Sequence, residues 1–311
     1  MWPGFRRSWQ RRFNARAIAR RVERVLGPRA GAERRVALTT LPITADLMGR
    51  IDVDRWLYYC VDDFAVWPGL DGRMLREMEL RLVERVDGIV AASRNLQERL
   101  SELAPAALRP GLLTHGIDQD HWAPPPGDFK DLANPWPKLR RPIFLFFGLV
   151  DRRLDTDWCR QVAAGKGSLV LLGPRPRPDK TLRSLPGVHL AAAEPYEHLP
   201  RVAAAADVLV MPYADLPVTQ AMQPLKLCEY LATGKPVVVR KFPATDAWRD
   251  GADVVSTVEQ FVQTARTRVW SGTPQGQLQA RRRLEDHRWA PKALDFEALL
   301  LGRSIPEAAA A

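Results

Sequence analysis

Short apolar runs alternate with helical patterns along most of this chain, and this alternation limits the fold more than any other feature. The helical patterns lie between the runs, for example at 73–86, 154–164, 197–206 and 224–233. Such spacing is typical of parallel strands joined by crossover helices. The predicted strands are 36–41, 56–61, 89–92, 112–114, 143–147, 169–172, 188–190, 208–211, 237–239 and 254–255. The sequence therefore predicts an α/β fold.

A proline-rich stretch interrupts the alternation after the fourth apolar run. Residues 123–140 contain Ala-Pro-Pro-Pro-Gly-Asp and Asn-Pro-Trp-Pro, which favour turns and extended chain over regular elements. We interpret 123–140 as a linker between a first domain at 1–122 and a second at 141–288. Residues 289–311 are predicted to be a C-terminal helix that returns toward the first domain. A length of 311 residues also favours two domains.

The positive charge is concentrated near the N-terminus. Residues 1–35 contain eleven arginines and two glutamates, which accounts for nine of the net charge of +10. Phe5, Trp9 and Phe13 recur at helical spacing, so 5–26 is predicted to form a basic amphipathic helix. One interpretation is contact with an anionic membrane surface; the other is a helix that covers a sheet with its arginines in solvent. Charge so localised does not indicate a nucleic-acid-binding protein.

The three cysteines, Cys60, Cys159 and Cys228, lie far apart and lack metal-ligand spacing. They favour free thiols in a reducing compartment, so the predicted location is the cytoplasm, with membrane association through 5–26 as an addition. No apolar run reaches the length of about 20 residues needed for a membrane-spanning helix.

Residues 224–239 are the most informative local motif. Pro224 is predicted to open a short helix that Gly234-Lys235-Pro236 ends, and a valine run follows as a buried strand. Lys226 and Glu229 lie three positions apart, so they share one helix face and can meet a ligand together. Two interpretations remain at this point: a ligand site or a surface ion pair.

Other candidates follow predicted strands. Gly148 allows close approach to a ligand, and Arg152 or Arg153 can meet phosphate. Asp62 and Asp63 follow a strand in the first half and are candidates for an acceptor hydroxyl, or else turn and capping residues. His115 is likewise a candidate site residue or a loop histidine.

Several motifs together resemble retaining, nucleotide-sugar-dependent glycosyltransferases of group 1 and family 4. They are Pro-Leu-Lys-x-x-Glu-Tyr-Leu-Ala-x-Gly-Lys-Pro-Val from Pro224, His-Gly-Ile-Asp from His115, and the segments 58–69, 87–96, 147–155, 188–196 and 207–213. The resemblance implies the GT-B fold, with two Rossmann-like domains that face each other across a cleft. It also implies an enzyme that transfers a sugar from a nucleotide-diphosphate sugar to a glycan or lipid-linked acceptor, with retention and without metal or cofactor.

The resemblance also implies roles for particular residues. Glu229 matches the glutamate that holds ribose hydroxyls, and Lys226 and Thr219 lie where donor contacts are expected. Lys226, Arg153 and Asp63 are the predicted catalytic residues, while Asp62 and His115 are placed on the acceptor side. The predicted donor-binding residues are Glu229, Thr219, Pro224, Leu225, Gly148, Arg152 and Tyr213.

The chain departs from the family pattern at three positions. Ala221 stands where the family has a second glutamate, Leu149 replaces a basic residue, and His115 replaces an asparagine. The first domain also lacks the opening β-α-β units and glycine-rich turn, so we expect it to be incomplete, with an exposed sheet edge and apolar face. The alternative functions are a catalytically silent module that binds a nucleotide sugar or a partner and, less favoured, a sugar-nucleotide epimerase.

Overall fold

The computed structural model of the protein describes residues 6–122 and 135–303. The chain divides into two compact units. Among the described residues, the first contains 6–115, 221–223 and 290–303, and the second contains 116–122, 135–220 and 224–289. Most of the predicted linker 123–140, the aromatic residues Trp2 and Phe5, and the C-terminal tail lie outside the described residues.

The first unit is built on a four-stranded parallel sheet in the order β1-β2-β3-β4. Its strands are β1 (Val36–Thr39), β2 (Arg55–Cys60), β3 (Gly88–Ala91) and β4 (Gly111–Leu112), and its helices are α1 (Ser8–Leu26), α2 (Gly72–Val83) and α3 (Arg94–Leu103), with 3₁₀ turns at Pro42–Leu47 and Phe64–Val66. Each strand falls within one of the four predicted apolar runs or overlaps it. β1 lies at a sheet edge, where Val36 and Leu38 are exposed.

The second unit contains a six-stranded parallel sheet in the order β10-β9-β8-β5-β6-β7. Its strands are β5 (Ile143–Phe147), β6 (Ser168–Leu172), β7 (Val188–Ala191), β8 (Val208–Met211), β9 (Val237–Arg240) and β10 (Asp253–Val255). The order is that of the classical dinucleotide-binding sheet, in which the winding direction reverses between the first and fourth strands. Here the reversal lies between β5 and β8.

The helices of the second unit are α4 (Gln119–Trp122), α5 (Thr156–Ala163), α6 (Leu199–Ala204), α7 (Pro217–Ala221, whose last residue groups with the first unit), α8 (Leu225–Ala232), α9 (Pro243–Asp246), α10 (Val258–Ser271) and α11 (Gln275–Ala280), with 3₁₀ turns at Lys180–Arg183, Tyr196–His198 and Arg281–His287. Helices α5 to α9 fall between the strands of the unit, as the alternation of patterns predicts, while α4 precedes the sheet and α10 and α11 follow it in sequence. β5, β6 and β8 are buried along their whole length, which explains their continuous apolar runs.

The unit boundaries differ from the predicted ones at residues 116–122, which group with the second unit and not with the first. Contacts within the second unit account for this. Ile117 forms a β-bridge with Arg288, and the Trp122 indole stacks on the Phe147 ring with 5.3 Å between centroids.

The last helix, α12 (Trp289–Leu300), lies almost entirely in the first unit. Phe296, Leu299 and Leu300 pack against Leu57 and Val90 of its sheet. Within 6–122 and 135–303, no helix has both the length and the apolar character to cross a membrane.

Candidate functional site

The second unit presents two loops at the point where its sheet reverses direction. Gly148 follows β5, and Pro212 and Tyr213 follow β8. Gly148 has φ of +146°, a conformation that favours glycine, and its N–H donates to the Leu172 carbonyl. Ligands of such sheets bind beyond the carboxyl ends of the strands at this reversal point.

Helix α8 brings Lys226 to the same place. The Lys226 Nζ donates to the Tyr213 hydroxyl at 2.8 Å, and the Tyr213 ring is fully buried. A Cβ atom at position 148 would lie 2.3 Å from Lys226 Cε. The backbone conformation at position 148 therefore favours glycine, and a larger residue there would also displace the end of the Lys226 side chain.

Tyr230 fixes the position of α8 relative to β5. Its hydroxyl accepts a hydrogen bond from the Phe147 N–H at 2.8 Å and donates to the Phe147 carbonyl at 3.1 Å. Both bonds are buried, where hydrogen bonds are most costly to break. Because Lys226 lies one turn before Tyr230 on the same helix, this pair of bonds also fixes the position of the Lys226 backbone.

Glu229 is the other polar residue on this part of α8. Burial raises the pKa of its carboxyl to about 7, and the Lys226 cation opposes that rise. Its carboxylate makes no hydrogen bond or ion pair with any residue of the described chain. The two residues do not form the surface ion pair considered above, because Lys226 is bonded to Tyr213.

The start of α8 lies next to these side chains. Pro224 is the N-cap, so the helix begins at Leu225, one residue later than predicted, and no side chain caps it. The first N–H groups of a helix lack internal partners and carry partial positive charge, which favours anions. A half-buried lysine, a helix start without a side-chain cap and a carboxylate without a hydrogen-bond partner thus lie near one reversal point.

This arrangement agrees with the comparisons to known proteins. The model of a family described as glycosyl transferases, group 1, matches residues 142–267. Residues 142–267 are thus similar to the group 1 glycosyltransferase domain. The chain is 26% identical over 237 residues to a Bacillus subtilis (strain 168) protein named as a putative teichuronic acid biosynthesis glycosyltransferase, TuaH. That match covers 70% of this chain and 58% of TuaH, so the chain spans less than two thirds of that relative.

Solved structures share the fold at low sequence identity. Sucrose-phosphate synthase from Thermosynechococcus elongatus matches with a TM-score of 0.72 and 16% identity, over 97% of this chain and 81% of that one. Anabaena Alr3699/HepE in complex with UDP matches with a TM-score of 0.68 and 13% identity, over 92% and 82% of the two chains. These likenesses confirm the predicted GT-B fold.

The structure changes the interpretation of Arg153, one of the predicted catalytic residues. Arg153 is buried, and its guanidinium binds the Asp151 carboxylate through Nε and Nη2, the latter at 2.8 Å. It also lies 5.8 Å from the centre of the Tyr213 ring. With its charge neutralised inside the loop, Arg153 is placed to support Tyr213, whereas Arg152 is exposed.

Thr219 is also differently placed from the prediction. Its side chain is buried, and its hydroxyl bonds within the loop, to the Ala214 carbonyl at 2.6 Å and to the Leu216 N–H at 3.0 Å. The hydroxyl therefore stabilises the turn at 214–216, which leads into α7. The predicted contact between this side chain and a donor is not supported by this geometry.

Asp63 in the first unit is not an accessible carboxylate. It is buried, accepts from the Ala65 N–H at 3.1 Å, and pairs with Arg76 at 3.1 Å and Arg99 at 3.4 Å. The same two arginines bind Glu79, which is buried on α2. The predicted catalytic role of Asp63 is therefore replaced by a structural one, because its charge is already neutralised.

The two acceptor-side candidates, Asp62 and His115, are both half-buried but have different surroundings. Asp62 is half-buried, and its carbonyl accepts from the Phe64 N–H. Burial lowers the pKa of His115 to about 4, with a further contribution from the Lys292 cation, and its Nδ1 lies 3.4 Å from the Tyr59 hydroxyl. His115 is thus a neutral imidazole at ordinary pH.

Sequence reasoning missed the residues that position these groups. Tyr230 bonds to Phe147, and Arg76 and Arg99 bond to Asp63, across separations in sequence that only the fold closes. Asp151 is different, because it lies two residues before Arg153 and pairs with it within one loop. One signal was present for Tyr230, since it lies four residues after Lys226 and therefore on the same side of α8. In the part of the chain that is described, no group of three or more His, Cys, Asp or Glu side chains could hold a metal ion.

Proposed function

We propose that this protein transfers a sugar from a nucleotide-diphosphate sugar to an acceptor, with retention and without a metal. The observation that carries the proposal is Glu229: a carboxylate largely removed from water, with no protein partner, beside a lysine at the reversal point of the sheet. A group in this state costs free energy in the empty protein. A ligand that donates hydrogen bonds to it recovers that cost.

The ribose of a nucleotide fits this requirement. Two vicinal hydroxyls donate to the two oxygens of one carboxylate, and their donation favours its ionised form. Glu229 is thereby the proposed ribose contact, as the resemblance to group 1 enzymes implies. Tyr196, which follows β7, lies near this carboxylate: burial raises the pKa of the Tyr196 hydroxyl, and the Glu229 charge adds to that rise.

Lys226 is the proposed catalytic residue. When the bond between sugar and diphosphate breaks, negative charge grows on the leaving diphosphate, and a preplaced cation stabilises that charge most in the transition state. The first N–H groups of α8, at Leu225 and Lys226, add partial positive charge from the helix end. Together they supply the charge stabilisation for which other enzymes use a metal ion.

The comparisons guide the choice of donor and acceptor. Anabaena Alr3699/HepE binds UDP and UDP-glucose in its structures, so uridine nucleotides are the first donors we propose. TuaH is named for teichuronic acid biosynthesis, which supports a cell-envelope glycan or a lipid-linked glycan as acceptor. The cytoplasm is the proposed location, and the three buried free thiols are compatible with it.

The test measures donor binding and sugar transfer separately. Calorimetric titration with UDP-glucose and UDP is compared for the wild type, Glu229→Ala and Lys226→Ala. Each substitution should weaken binding by roughly tenfold to a hundredfold, since a hydrogen bond to a charged group contributes about 1.5–3 kcal/mol. Glu259→Ala and Lys166→Ala remove exposed charges elsewhere in the second unit and should leave binding unchanged.

Transfer is then assayed with radiolabelled UDP-glucose and a mixture of envelope glycans as acceptors, with hydrolysis followed in parallel. Unchanged donor binding in both site variants would contradict the assigned site. Tight binding without transfer or hydrolysis would favour the alternative, a catalytically silent nucleotide-sugar-binding module.

A further inference from the structure

Helix α1 carries a solvent-facing row of aromatic and basic side chains. Positions 9, 13, 16, 20 and 24 follow one another at steps of three or four residues, so they lie along one face. We call this row, Trp9, Phe13, Arg16, Arg20 and Arg24, the basic-aromatic face. Trp9 is 47% exposed and Phe13 is 54% exposed, which is high for large apolar side chains.

The opposite side of α1 holds the helix on the first unit. Ala15 and Ala19 are buried, and Arg11 on that side pairs with Asp46 of the 3₁₀ turn Pro42–Leu47 at 3.3 Å. The buried residues of α1 are Asn14, Ala15 and Ala19, and the larger Phe13 turns outward. Arginines of the helix lie in solvent, as in the second interpretation of the sequence, but the aromatic side chains of Trp9 and Phe13 are exposed as well.

The arginines of the face have no internal charge partners. Arg16, Arg20 and Arg24 form no ion pair or hydrogen bond with any residue in the described parts of the chain. Four neighbouring arginines do have acidic partners, namely Arg6 with Asp71, Arg11 with Asp46, Arg29 with Asp52 and Asp54, and Arg35 with Glu33. The charge on the face is thus left for a partner outside the chain.

We propose that the basic-aromatic face binds an anionic lipid bilayer, with α1 lying flat on its surface. Indole and phenyl rings gain free energy at the boundary between headgroups and acyl chains, and arginines beside them pair with lipid phosphates. At 1.5 Å per residue, the 19 residues of α1 extend over about 28 Å, a length that lies along several headgroups. Charge complementarity identifies the bilayer as anionic.

A nucleic acid is the competing partner for a row of arginines and aromatic rings. The distribution of charge favours the bilayer, because nine of the ten net positive charges lie in residues 1–35 and the rest of the chain is nearly neutral. A nucleic-acid-binding domain carries a broader basic surface. The inference concerns the first unit and does not depend on the proposed transferase activity.

The experiment uses the full chain in co-sedimentation with vesicles, either phosphatidylglycerol and phosphatidylcholine in equal parts or phosphatidylcholine alone. Wild type should bind the anionic vesicles and not the neutral ones, and binding should weaken as salt rises from roughly 0.1 M to 1 M. Arg16→Gln, Arg20→Gln and Arg24→Gln combined should lower the partition coefficient on the order of a hundredfold. Trp9→Ala with Phe13→Ala should reduce the binding that persists at high salt.

The matched control removes three exposed arginines of the second unit, Arg183→Gln, Arg266→Gln and Arg282→Gln, and should bind vesicles as the wild type does. Thermal unfolding of each variant verifies folding, which should be unchanged because Ala15 and Ala19 are retained. Three results would overturn the proposal. The first is an absence of wild-type binding to anionic vesicles at low salt. The second is an equal loss of vesicle binding in the α1 triple variant and in its control. The third is displacement of the protein from vesicles by short RNA or DNA at a lower concentration than by added anionic vesicles.

Discussion

The two units each hold a carboxylate that is shielded from water, but in opposite states of pairing. In the first unit, Glu79 accepts from the Tyr58 hydroxyl at 2.8 Å and from Arg99 at 2.6 and 2.9 Å, and every charge of the cluster has a partner. In the second unit, Glu229 is also largely removed from water, and no residue of the described chain bonds to it. A satisfied carboxylate stabilises the unit that contains it. An unsatisfied one is available to a ligand.

The difference teaches how to separate structural from functional acids in this protein. Asp63 follows strand β2 and Glu229 lies on helix α8, and the sequence suggests a site role for each. Their partners distinguish them, because Arg76 and Arg99 neutralise Asp63 while Lys226 turns away from Glu229 to Tyr213. Four experiments test this contrast.

The largest expected effect comes from breaking the satisfied cluster. Glu79→Ala leaves Arg76 and Arg99 short of a buried partner, and the loss of one member of a buried ion pair costs about 3–5 kcal/mol. Urea unfolding followed by circular dichroism should show a loss of that size in the first unit. The control Glu77→Ala removes an exposed acid from the same helix and should cost less than about 0.5 kcal/mol. Similar losses in both variants would mean that the cluster contributes nothing special.

The next effect concerns stability against pH in the second unit. The folded pKa of Glu229 is raised from its ordinary value of 4.5 to about 7, so the folded state holds this proton more tightly than the unfolded state. Stability is therefore lost as pH rises from about 4.5 to about 7 and stays lower above that. Glu229→Gln has no such proton, so it should exceed the wild type by about 2–3 kcal/mol at pH 8 and lose this advantage below pH 4.5.

Thermal unfolding of both proteins across this range gives the comparison, with Glu259→Gln as a control for an exposed acid. If the free energy of unfolding varied with pH in the same way for the wild type and Glu229→Gln, the Glu229 carboxylate would have a partner in the folded protein.

Most of the fold could be predicted because strand patterns are local. The predicted runs 143–147 and 208–211 coincide with β5 and β8, since these strands are buried on both faces and must be continuously apolar. Within the candidate site, the placement of Lys226 and Glu229 on one helix could be predicted because helical spacing is also a local pattern.

The partners of these side chains could not be predicted. The ion pair between Arg153 and Asp151 depends on the conformation of one loop. Lys226 meets Tyr213 only because the start of α8 lies beside the residues that follow β8. In the first unit, Arg99 reaches Asp63 from a helix that follows a further strand. Such contacts depend on tertiary geometry, which a pattern of residue types does not encode.

A smaller effect is expected on ligand affinity. If ribose hydroxyls donate to Glu229, the ionised carboxylate is the form that binds, so affinity should rise as pH passes through about 7. Between pH 6 and pH 8 the gain for a nucleotide sugar should be about tenfold, because the diphosphate diester has no proton to lose there. Calorimetry at the two pH values measures it. Glu229→Gln should show a flat profile, and a slope that persists in this variant would assign the dependence to another group.

The smallest expected effect comes from the support of Lys226. Tyr213→Phe removes the hydroxyl that accepts from Nζ but keeps the buried ring, and the loss of one such bond costs about 0.5–1.5 kcal/mol. Nucleotide binding should weaken by about threefold to tenfold, while the free energy of unfolding changes less. Tyr59→Phe provides the matched control, because it removes a hydroxyl of the first unit that donates to the Leu113 carbonyl. Equal effects of the two substitutions would deny Tyr213 a positioning role.

The paired bonds from the Tyr230 hydroxyl to Phe147 have a consequence for kinetics. They join the strand before Gly148 to the helix that carries Lys226 and Glu229, so these groups hold their positions before any ligand arrives. Binding then spends little free energy on ordering side chains, and encounter with correct orientation limits the rate of association. The observed association rate should rise in proportion to ligand concentration, without the plateau that a slow rearrangement would impose.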